Sequence, residues 1–417
     1  MNTPFLRDLE ARGLLCDKTA DVAEPDFKDR PTLYVGYDPT ATSLHAGSLI
    51  PLLGMDRFRR RGGQLIVLVG GATGLIGDPS GKSQERTLQT HQVVQERIEA
   101  LRQQMTQFFE RTDGPAPIFV NNADWYRQLD VIEFLRDVGK HFSVNQMLTR
   151  DSVRSRIERE GQGISFTEFS YQLLQSYDFL HLFRTYGCRW QMGASDQWGN
   201  IVSGIDLVRR CTGEKVLGLT LPLLTNSEGK KYGKSEEGTV WLAPELTTPY
   251  AFFQFWLNTA DVDTPRFLAW LTDLSPEEIA ELQAHPASER VPQQALATIL
   301  TTRVHGAEQA TLAQRASQVV FSGRFDLLTG DTVDMLATAV PTHAITGEQP
   351  ATLADVMAAL EPTMSKGELR RLVKQRGVSV NGVVVDDINV SLRALAQGGP
   401  AVLIAIGKSR RFLARLG

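Results

Sequence analysis

The chain has 417 residues, 42% hydrophobic and 22% charged, with a net charge of −4, so it is long enough for two to four domains of about 100–200 residues and balanced like an ordinary globular protein. No apolar run reaches the roughly 18 residues of a membrane span, and the amino terminus MNTPFLRDLEARGLL mixes charge with apolar residues instead of presenting a signal-peptide core; the expectation is a cytoplasmic chain with no membrane partner. Cys16, Cys188 and Cys211 are the only cysteines and show no C-x-x-C spacing, which excludes a disulfide framework and a structural zinc site.

In chain order, TLYVGYD (32–38) predicts a buried strand, followed by a turn and a helix from His45 to Arg60; QLIVLVGG (64–71) predicts a second strand. Strand, helix, strand is a βαβ unit, hence a parallel sheet whose ligands belong at the carboxyl ends of its strands. The loop after the second strand, GATGLIGDPSGKS, looks like a phosphate cradle. It is not a P-loop: Gly81-Lys82-Ser83 would need a glycine at position 76, where Ile76 stands, and Pro79 removes a backbone donor. The spacing of Gly71, Gly74 and Gly77 also fails the dinucleotide pattern.

Helical patterns dominate 91–183, and CRWQMGASDQWGN (188–200) reads as another strand leading into a polar loop. Within the helix YQLLQSYD, Tyr171, Gln175 and Asp178 fall within about 60° of one another. Phe169, Leu173 and Leu180 lie opposite, as the expected core anchors. Residues 247–335 read as helices joined by loops, and the proline-containing stretch after 337 as a linker. Beyond it, Ser365 is placed to cap a helix carrying Lys366, Arg370, Arg371 and Lys374, the first, second and last of these on one face. VSVNGVVV predicts a hairpin at Asn381-Gly382, and AVLIAIGKSRRFLARL a second strand pair. Residues 361–417 hold ten Lys/Arg against four Asp/Glu, a net +6 that leaves −10 for the rest; a basic module on an acidic body suggests a polyanionic partner. The sequon at Asn389 is a chance match.

Two segments carry chemistry. DPTATSLHAGSL puts His45 and Ser48 at the start of a helix, where backbone N–H groups favour an anion; a capping histidine alone would also explain it. GKKYGKSEEG offers Lys230, Lys231, Lys234 and Ser235 between glycines, suited to charge developing on a phosphate; a solvated turn is the plainer alternative.

Together, in this order, these segments resemble the HIGH and KMSKS signatures of class I aminoacyl-tRNA synthetases. Through YVGYDPTATSLHAGSL, LVGGATGLIGDPSGK, FLRDVGKHFSVNQML, GISFTEFSYQLLQSYDFL, GASDQWGNI and KYGKS, essentially the whole chain is similar to the bacterial tyrosyl-tRNA synthetases. The signatures depart at Ser48, where the second histidine would stand, and at Tyr232 and Gly233.

The resemblance implies an α/β fold: a Rossmann-like parallel-sheet catalytic domain (1–246), a helical domain (247–336), a linker (337–350) and a small α+β S4-like RNA-binding domain (351–417). It implies L-tyrosine, ATP and tRNA(Tyr) as partners, Mg2+ accompanying ATP without a dedicated protein metal site, and a homodimer with its interface near 134–166. Tyr34 and Asp178 would bind the phenol; Asp78, Tyr171 and Gln175 the ammonium; and Gln197 the carboxyl end. Gly36, Asp38, His45, Gly47, Ser48, Asp196 and Lys234 would contact ATP. Thr40, His45, Lys82, Arg86, Lys231, Lys234 and Ser235 would stabilise the phosphates, and Lys366, Arg370, Arg371 and Lys374 would meet RNA. An RNA-binding synthetase relative without activity, a small adenylyltransferase and a tryptophan enzyme are the alternatives. The full polar set, the length with its basic tail, and the pairing of Tyr34 with Asp178 stand against them in turn.

Overall fold

A five-stranded parallel sheet organises the first part of the chain in the computed structural model, which describes residues 4–20, 23–80, 89–150, 153–154, 157, 163–235, 238–346, 351–407 and 409–416. Its elements are α1 (Phe5–Ala11), β1 (Thr32–Tyr37), α2 (Leu49–Arg59), β2 (Gln64–Val69), α3 (Thr73–Ile76), α4 (His91–Glu110), β3 (Ile118–Asn121), α5 (Ala123–Tyr126), α6 (Val131–Asp137), α7 (Val144–Leu148), α8 (Phe166–Tyr186), β4 (Trp190–Ala194), α9 (Trp198–Thr212) and β5 (Leu217–Leu221). A small ribbon of β6 (Lys234–Ser235) and β7 (Gly238–Thr239) follows. The sheet order is β3-β2-β1-β4-β5, with β1 registered on β2 from Thr32↔Gln64 to Tyr37↔Val69. The expected βαβ unit is present, with the helix from His45 beginning as a single 3-10 turn, Ala46–Ser48, before α2.

Two strands of this sheet escape the sequence reading. Ile118–Asn121 interrupts the stretch expected to be helical, and Leu217–Leu221 forms the edge strand β5. Runs of four and five residues are too short for periodicity to separate strand from helix.

On α8, Phe179, Leu180 and Leu182 are buried together with Tyr34, Ile66 and Leu68 in one apolar cluster. Phe169 and Leu173, expected as anchors beside Leu180, are only half-buried. The helix is pinned mainly along its second half, where it covers the sheet. Ser165 caps its start by accepting from the Glu168 N–H, and Gly187 ends it in the left-handed region.

The chain divides into two compact units, Met1–Ala243 with Pro265–Glu277 and Pro244–Thr264 with Glu278–Gly417. The returning stretch of the first unit is held by arginines. The guanidinium of Arg57, 1% exposed, donates to the carbonyls of Trp270 and Thr272 at 3.1 and 2.6 Å. Arg12 donates to those of Ala269, Thr272 and Leu274 at 3.0–3.1 Å. Orphan carbonyls at the end of the helix Thr264–Leu271 thus find cationic donors.

In the second unit, α10 (Pro249–Leu257), α11 (Val291–His305) and α12 (Ala307–Ser322) pack on one another through Phe252, Trp256, Leu296, Leu300 and Ala313, and α13 (Gly330–Ala337) follows. The remaining elements are β8 (Thr342–Ile345), α14 (Leu353–Leu360), α15 (Lys366–Lys374), β9 (Val378–Val380), β10 (Val383–Val384), β11 (Ala401–Ile406) and β12 (Arg410–Leu416). They form a sheet of order β10-β9-β11-β12-β8 with α14 and α15 in its core cluster. Both predicted hairpins are present. The stretch read as linker is corrected in part: Thr342–Ile345 pairs parallel with β12 and places Ile345 in that core. Alternation over four residues between proline and glycine gave no strand signal above the turn signals around it.

Candidate active site

A cavity of ≈ 630 Å³ opens at the carboxyl ends of β1, β2 and β4, where a parallel sheet places its ligands and within the usual range of about 300–1,000 Å³ for small-molecule sites. Strand β1 delivers Tyr34, Gly36 and Asp38 to it, the loop after β2 delivers Thr73 and Asp78, and α8 delivers Tyr171, Gln175 and Asp178. The loop after β4 adds Asp196 and Gln197, while Thr40, His45, Gly47 and Lys231 line it from segments beyond the sheet.

The glycine-rich loop after β2 is explained by close approach. A Cβ on Gly70 would lie 2.3 Å from Asp38 Oδ1 and 2.3 Å from Thr73 Oγ1, closer than any side chain tolerates. Only glycine lets this backbone meet the polar groups of the neighbouring strand.

At the closed end, Tyr34 is 1% exposed, packs at 5.2 Å on Phe179, and its hydroxyl has no hydrogen-bond partner among the described residues. A buried donor left unmade costs about 1–3 kcal/mol, so this hydroxyl is poised for a ligand. Asp178 is equally buried: Trp125 Nε1 donates to Oδ1 at 3.0 Å and Asn122 Nδ2 to Oδ2 at 3.1 Å. Burial pushes its carboxyl up to about 7 against the pull of those two donors and of Tyr126. Sequence reasoning missed Asn122 and Trp125; both lie around the short strand β3, which was itself unread.

In the middle of the cavity, Asp78 Oδ2 accepts from Gln197 Nε2 at 2.8 Å and Oδ1 accepts from the Ser80 N–H at 2.9 Å. Gln175 Nε2 reaches Gln197 Oε1 at 3.4 Å, and its own Oε1 is buried without a partner among the described residues. Tyr171 donates to Asp38 Oδ2 at 2.9 Å, and Thr73 donates to Asp38 Oδ1 at 2.8 Å. Burial, then the carboxylates of Asp38 and Asp78, hold the Tyr171 hydroxyl well above its ordinary value. Burial, then the charge of Asp78, raises the Asp196 carboxyl, while Lys231 opposes this. Two carboxylates, a phenol and two amides in one wall suit an ammonium with its neighbouring polar groups.

At the mouth, His45 precedes the 3-10 turn and its Nδ1 accepts from the Gly47 N–H at 3.1 Å, which makes Nε2 the protonated nitrogen of the neutral ring. A Cβ on Gly47 would lie 2.9 Å from His45 Cε1, so glycine there keeps the imidazole in place. The Ala46 N–H donates to the Val240 carbonyl at 2.8 Å and the Leu242 N–H to the Leu44 carbonyl at 2.8 Å. The two signature segments are therefore joined by main chain. Ser48 is buried in its turn and is not among the cavity-lining residues. Lys234 and Ser235 form β6, paired with β7; their side chains lie outside the described residues, as do Lys82 and Arg86. Behind this segment, Arg266 Nη2 donates to the Thr225 carbonyl at 2.8 Å, and Tyr232 packs on Phe267 at 4.8 Å.

A larger, open groove of ≈ 1090 Å³ lies at the amino-terminal ends of the strands, beside Phe27, Arg61 and Arg111. Arg61 there is paired with Asp8, and Arg60 with Asp56 and Asp273. These charges are already matched, so the smaller cavity, with its unpaired buried groups, is the candidate site. In the second unit, Lys366, Arg370, Arg371 and Lys374 are all exposed on α15, while Leu369 and Val373 face the core.

The Asp178 carboxyl yields a stability test. Burial raises it from 3.8 to about 7, so between those values the folded chain binds more protons than the unfolded one. Its contribution is fully present below about 4 and is lost as pH rises to about 7. In chemical denaturation without ligands, the stability of the wild type relative to Asp178→Asn should fall by about 2–3 kcal/mol from pH 5 to pH 8. A pH-independent difference would refute the assignment.

Residues 27–322 match the family model described as tRNA synthetases class I (W and Y). The chain is 48% identical over 401 residues to a tyrosine–tRNA ligase of Aliivibrio salmonicida, covering 93% of each, and 46% identical over 408 residues to that of Anaeromyxobacter dehalogenans, covering 96% of each. Its fold is similar to the crystal structure of a C-terminally truncated mitochondrial tyrosyl-tRNA synthetase of Aspergillus nidulans, with a TM-score of 0.67 and 30% identity over 77% of this chain and 95% of that one. With a parallel sheet, a polar cavity at its carboxyl ends and both signature segments at the mouth, the chain belongs to the class I tRNA synthetases, in their bacterial tyrosine–tRNA ligase branch.

Proposed function

We propose that this chain activates L-tyrosine with ATP and then transfers the tyrosyl group to the 3′ end of tRNA(Tyr). The observation that carries the reading is the pairing, at the closed end of the cavity, of the unpartnered Tyr34 hydroxyl with the Asp178 carboxyl. A site built to meet a phenol leaves the Tyr34 hydroxyl unpaired when the ligand lacks a hydroxyl, a rule for which tyrosyl-tRNA synthetases are themselves the standard illustration.

In this reading Asp78, Tyr171 and Gln175 hold the ammonium, and Gln197 guides the carboxylate toward the α-phosphate. Gly36, Asp38, Gly47 and Asp196 line the adenylate, with Ser48 supporting their segment. The tyrosine carboxylate attacks the α-phosphorus, a new C–O–P link forms, and the bond to the β-phosphate breaks with release of pyrophosphate. A carboxylate is ionised at neutral pH, so no general base is required. Catalysis is then positioning and stabilisation of phosphate charge by Thr40, His45, Lys82, Arg86, Lys231, Lys234 and Ser235, with Mg2+ arriving as the counter-ion of ATP. In the second step a hydroxyl of the terminal adenosine attacks the carbonyl and AMP leaves.

The three-domain division at 1–246, 247–336 and 351–417 is proposed on the same basis, with cytoplasmic residence. A homodimer is supported by the exposed apolar side chains of Val131, Ile132 and Leu135 on α6 and Val144 on α7, 50–67% exposed; a contiguous apolar face of this kind marks an interface. The basic, exposed face of α15 supports contact with the tRNA backbone.

Pyrophosphate exchange with ATP, without tRNA, should proceed with tyrosine and not with phenylalanine or tryptophan. His45→Asn should lower the activation rate by about 100-fold or more while tyrosine affinity stays within about twofold. Loss of affinity with the rate intact would mean His45 has another role. Light scattering should find a dimer that Ile132→Asp with Leu135→Asp converts to a monomer; a monomeric wild type rejects the interface. Arg370→Gln with Lys374→Gln should weaken tRNA(Tyr) binding and flatten its salt dependence by about one to two ions, leaving tRNA-free exchange unchanged. An unaltered salt slope would remove α15 from the RNA face.

A further inference from the structure

Helix α4 turns one face toward the segment between β1 and α2. Arg97, Leu101 and Gln104 lie within about 60° of one another on that face, and Leu101 is buried. Gln104 holds the far end of the segment: its Oε1 accepts from the Leu44 N–H at 2.8 Å and its Nε2 donates to Ser43 Oγ at 3.1 Å. Arg97 stands about two turns nearer the start of the helix and reaches the near end, its Nη1 lying 3.5 Å from the Pro39 carbonyl oxygen. It is half-buried and lines the cavity with Thr40 and His45. It belongs to neither signature segment.

A guanidinium carries five N–H donors. That of Arg97 makes one bond among the described residues, the contact to Pro39, and pairs with no carboxylate. The contact is longer than the usual range of about 2.7–3.2 Å. Arginines that brace this fold are saturated by comparison. Arg59 donates to Asp56 and to the Phe109 and Thr112 carbonyls, and Arg12 to three carbonyls and Asp8. A cation with spare donors in the wall of a ligand cavity is therefore placed to meet an anion there, and its planar fork matches two phosphate oxygens at once.

The neighbours of Arg97 decide which phosphates. In the functional reading above, Gly36, Asp38 and Asp196 take the adenylate end of the nucleotide, while Thr40 and His45 face the phosphates that leave. The carbonyl that Arg97 touches belongs to the residue just before Thr40. We propose that Arg97 clasps the β- and γ-phosphates of ATP and, after reaction, the pyrophosphate product. When the α-phosphorus is attacked, its bond to the bridging oxygen breaks and that oxygen keeps the electron pair, so negative charge builds on the departing pyrophosphate. A guanidinium already in place beside it lowers the cost of that charge without reorganising. The proposal rests on the tyrosine-activation reading of this cavity.

The test compares wild type, Arg97→Gln and Arg97→Lys in single-turnover formation and pyrophosphorolysis of tyrosyl-adenylate, without tRNA. Arg97→Gln should weaken pyrophosphate binding to the adenylate-loaded protein by about 10- to 100-fold and raise KM for ATP, the loss expected for a charge-assisted contact. Binding of tyrosine, and of tyrosinol adenylate, which has no β- or γ-phosphate, should stay within about twofold. Arg97→Lys should recover part of the loss, because the charge remains and the fork does not. Unchanged pyrophosphate binding in Arg97→Gln, with exchange intact, overturns the assignment and leaves tyrosine activation standing. Equal weakening of pyrophosphate and tyrosinol adenylate, with no recovery in Arg97→Lys, makes Arg97 a support for Pro39 and overturns it as well. Absence of tyrosine-dependent exchange in wild type overturns the activation reading itself. Should Arg97→Gln fail to fold, a crystal structure of wild type with tyrosinol and ATP decides: a guanidinium bonded to β- or γ-phosphate oxygens sustains the proposal, and one bonded only to protein refutes it.

Discussion

The closed end of the cavity depends on one buried amide, that of Asn122. Fully buried at the exit of β3, it accepts from the Ala72 N–H at 2.7 Å and donates to Thr73 Oγ1 at 2.9 Å and Asp178 Oδ2 at 3.1 Å. Thr73 passes the connection to Asp38, and Asp38 to Tyr171. A strand exit, the turn before α3, the end of β1 and the central turns of α8 are thus fixed by one chain of hydrogen bonds. Polar networks of this kind hold a single geometry because any member that moves leaves its neighbours unpaired in a low-dielectric interior. The spacing between the two ends of the cavity is set by that chain, and the apolar cluster beneath it supplies stability without direction.

The same network decides how charge is distributed. Among the described lining residues, the carboxylates of Asp38, Asp78, Asp178 and Asp196 outnumber the cations of Lys231 and Arg97, so the walls are acidic. Such walls suit an ammonium and repel a triphosphate. Under the proposed function the cations meet the nucleotide from the mouth, where His45 and Lys231 stand on segments outside the sheet. Separation of the two tasks follows from electrostatics: a cation among these carboxylates would neutralise the counter-charge the ammonium needs.

Much of this was legible because it depends on local pattern. The βαβ unit, the polar stripe of Tyr171, Gln175 and Asp178, the Ser365 cap and the two carboxy-terminal hairpins each arise from spacing within a few residues. What escaped depends on distant chain. β3 and β5 are too short to show a period, and β8 sits among turn-forming residues and exists because β12 gives it a partner. Asn122 and Trp125 carry no motif; their importance lies in the hydrogen bonds they make to Asp178, which only packing decides. Nor does anything near Arg57 or Arg12 announce that they reach the carbonyls of residues 269–274, more than 200 positions on.

The departures from the family signatures follow from the same geometry. His45 is positioned by its own turn and by main-chain bonds of its neighbours to the segment after β7, Ala46 donating to Val240 and Leu44 accepting from Leu242, so its place does not rely on a second histidine. Ser48 is buried and does not line the cavity, and its burial suits a small hydroxyl better than an imidazole. Tyr232 takes a packing role on Phe267, and that ring, with Arg266 holding the Thr225 carbonyl, braces the lysine-bearing loop from behind. Side chains in these signatures can vary wherever the main chain does the positioning. Under the proposed function, His45 and Lys231 are positions where the side chain itself must reach the nucleotide.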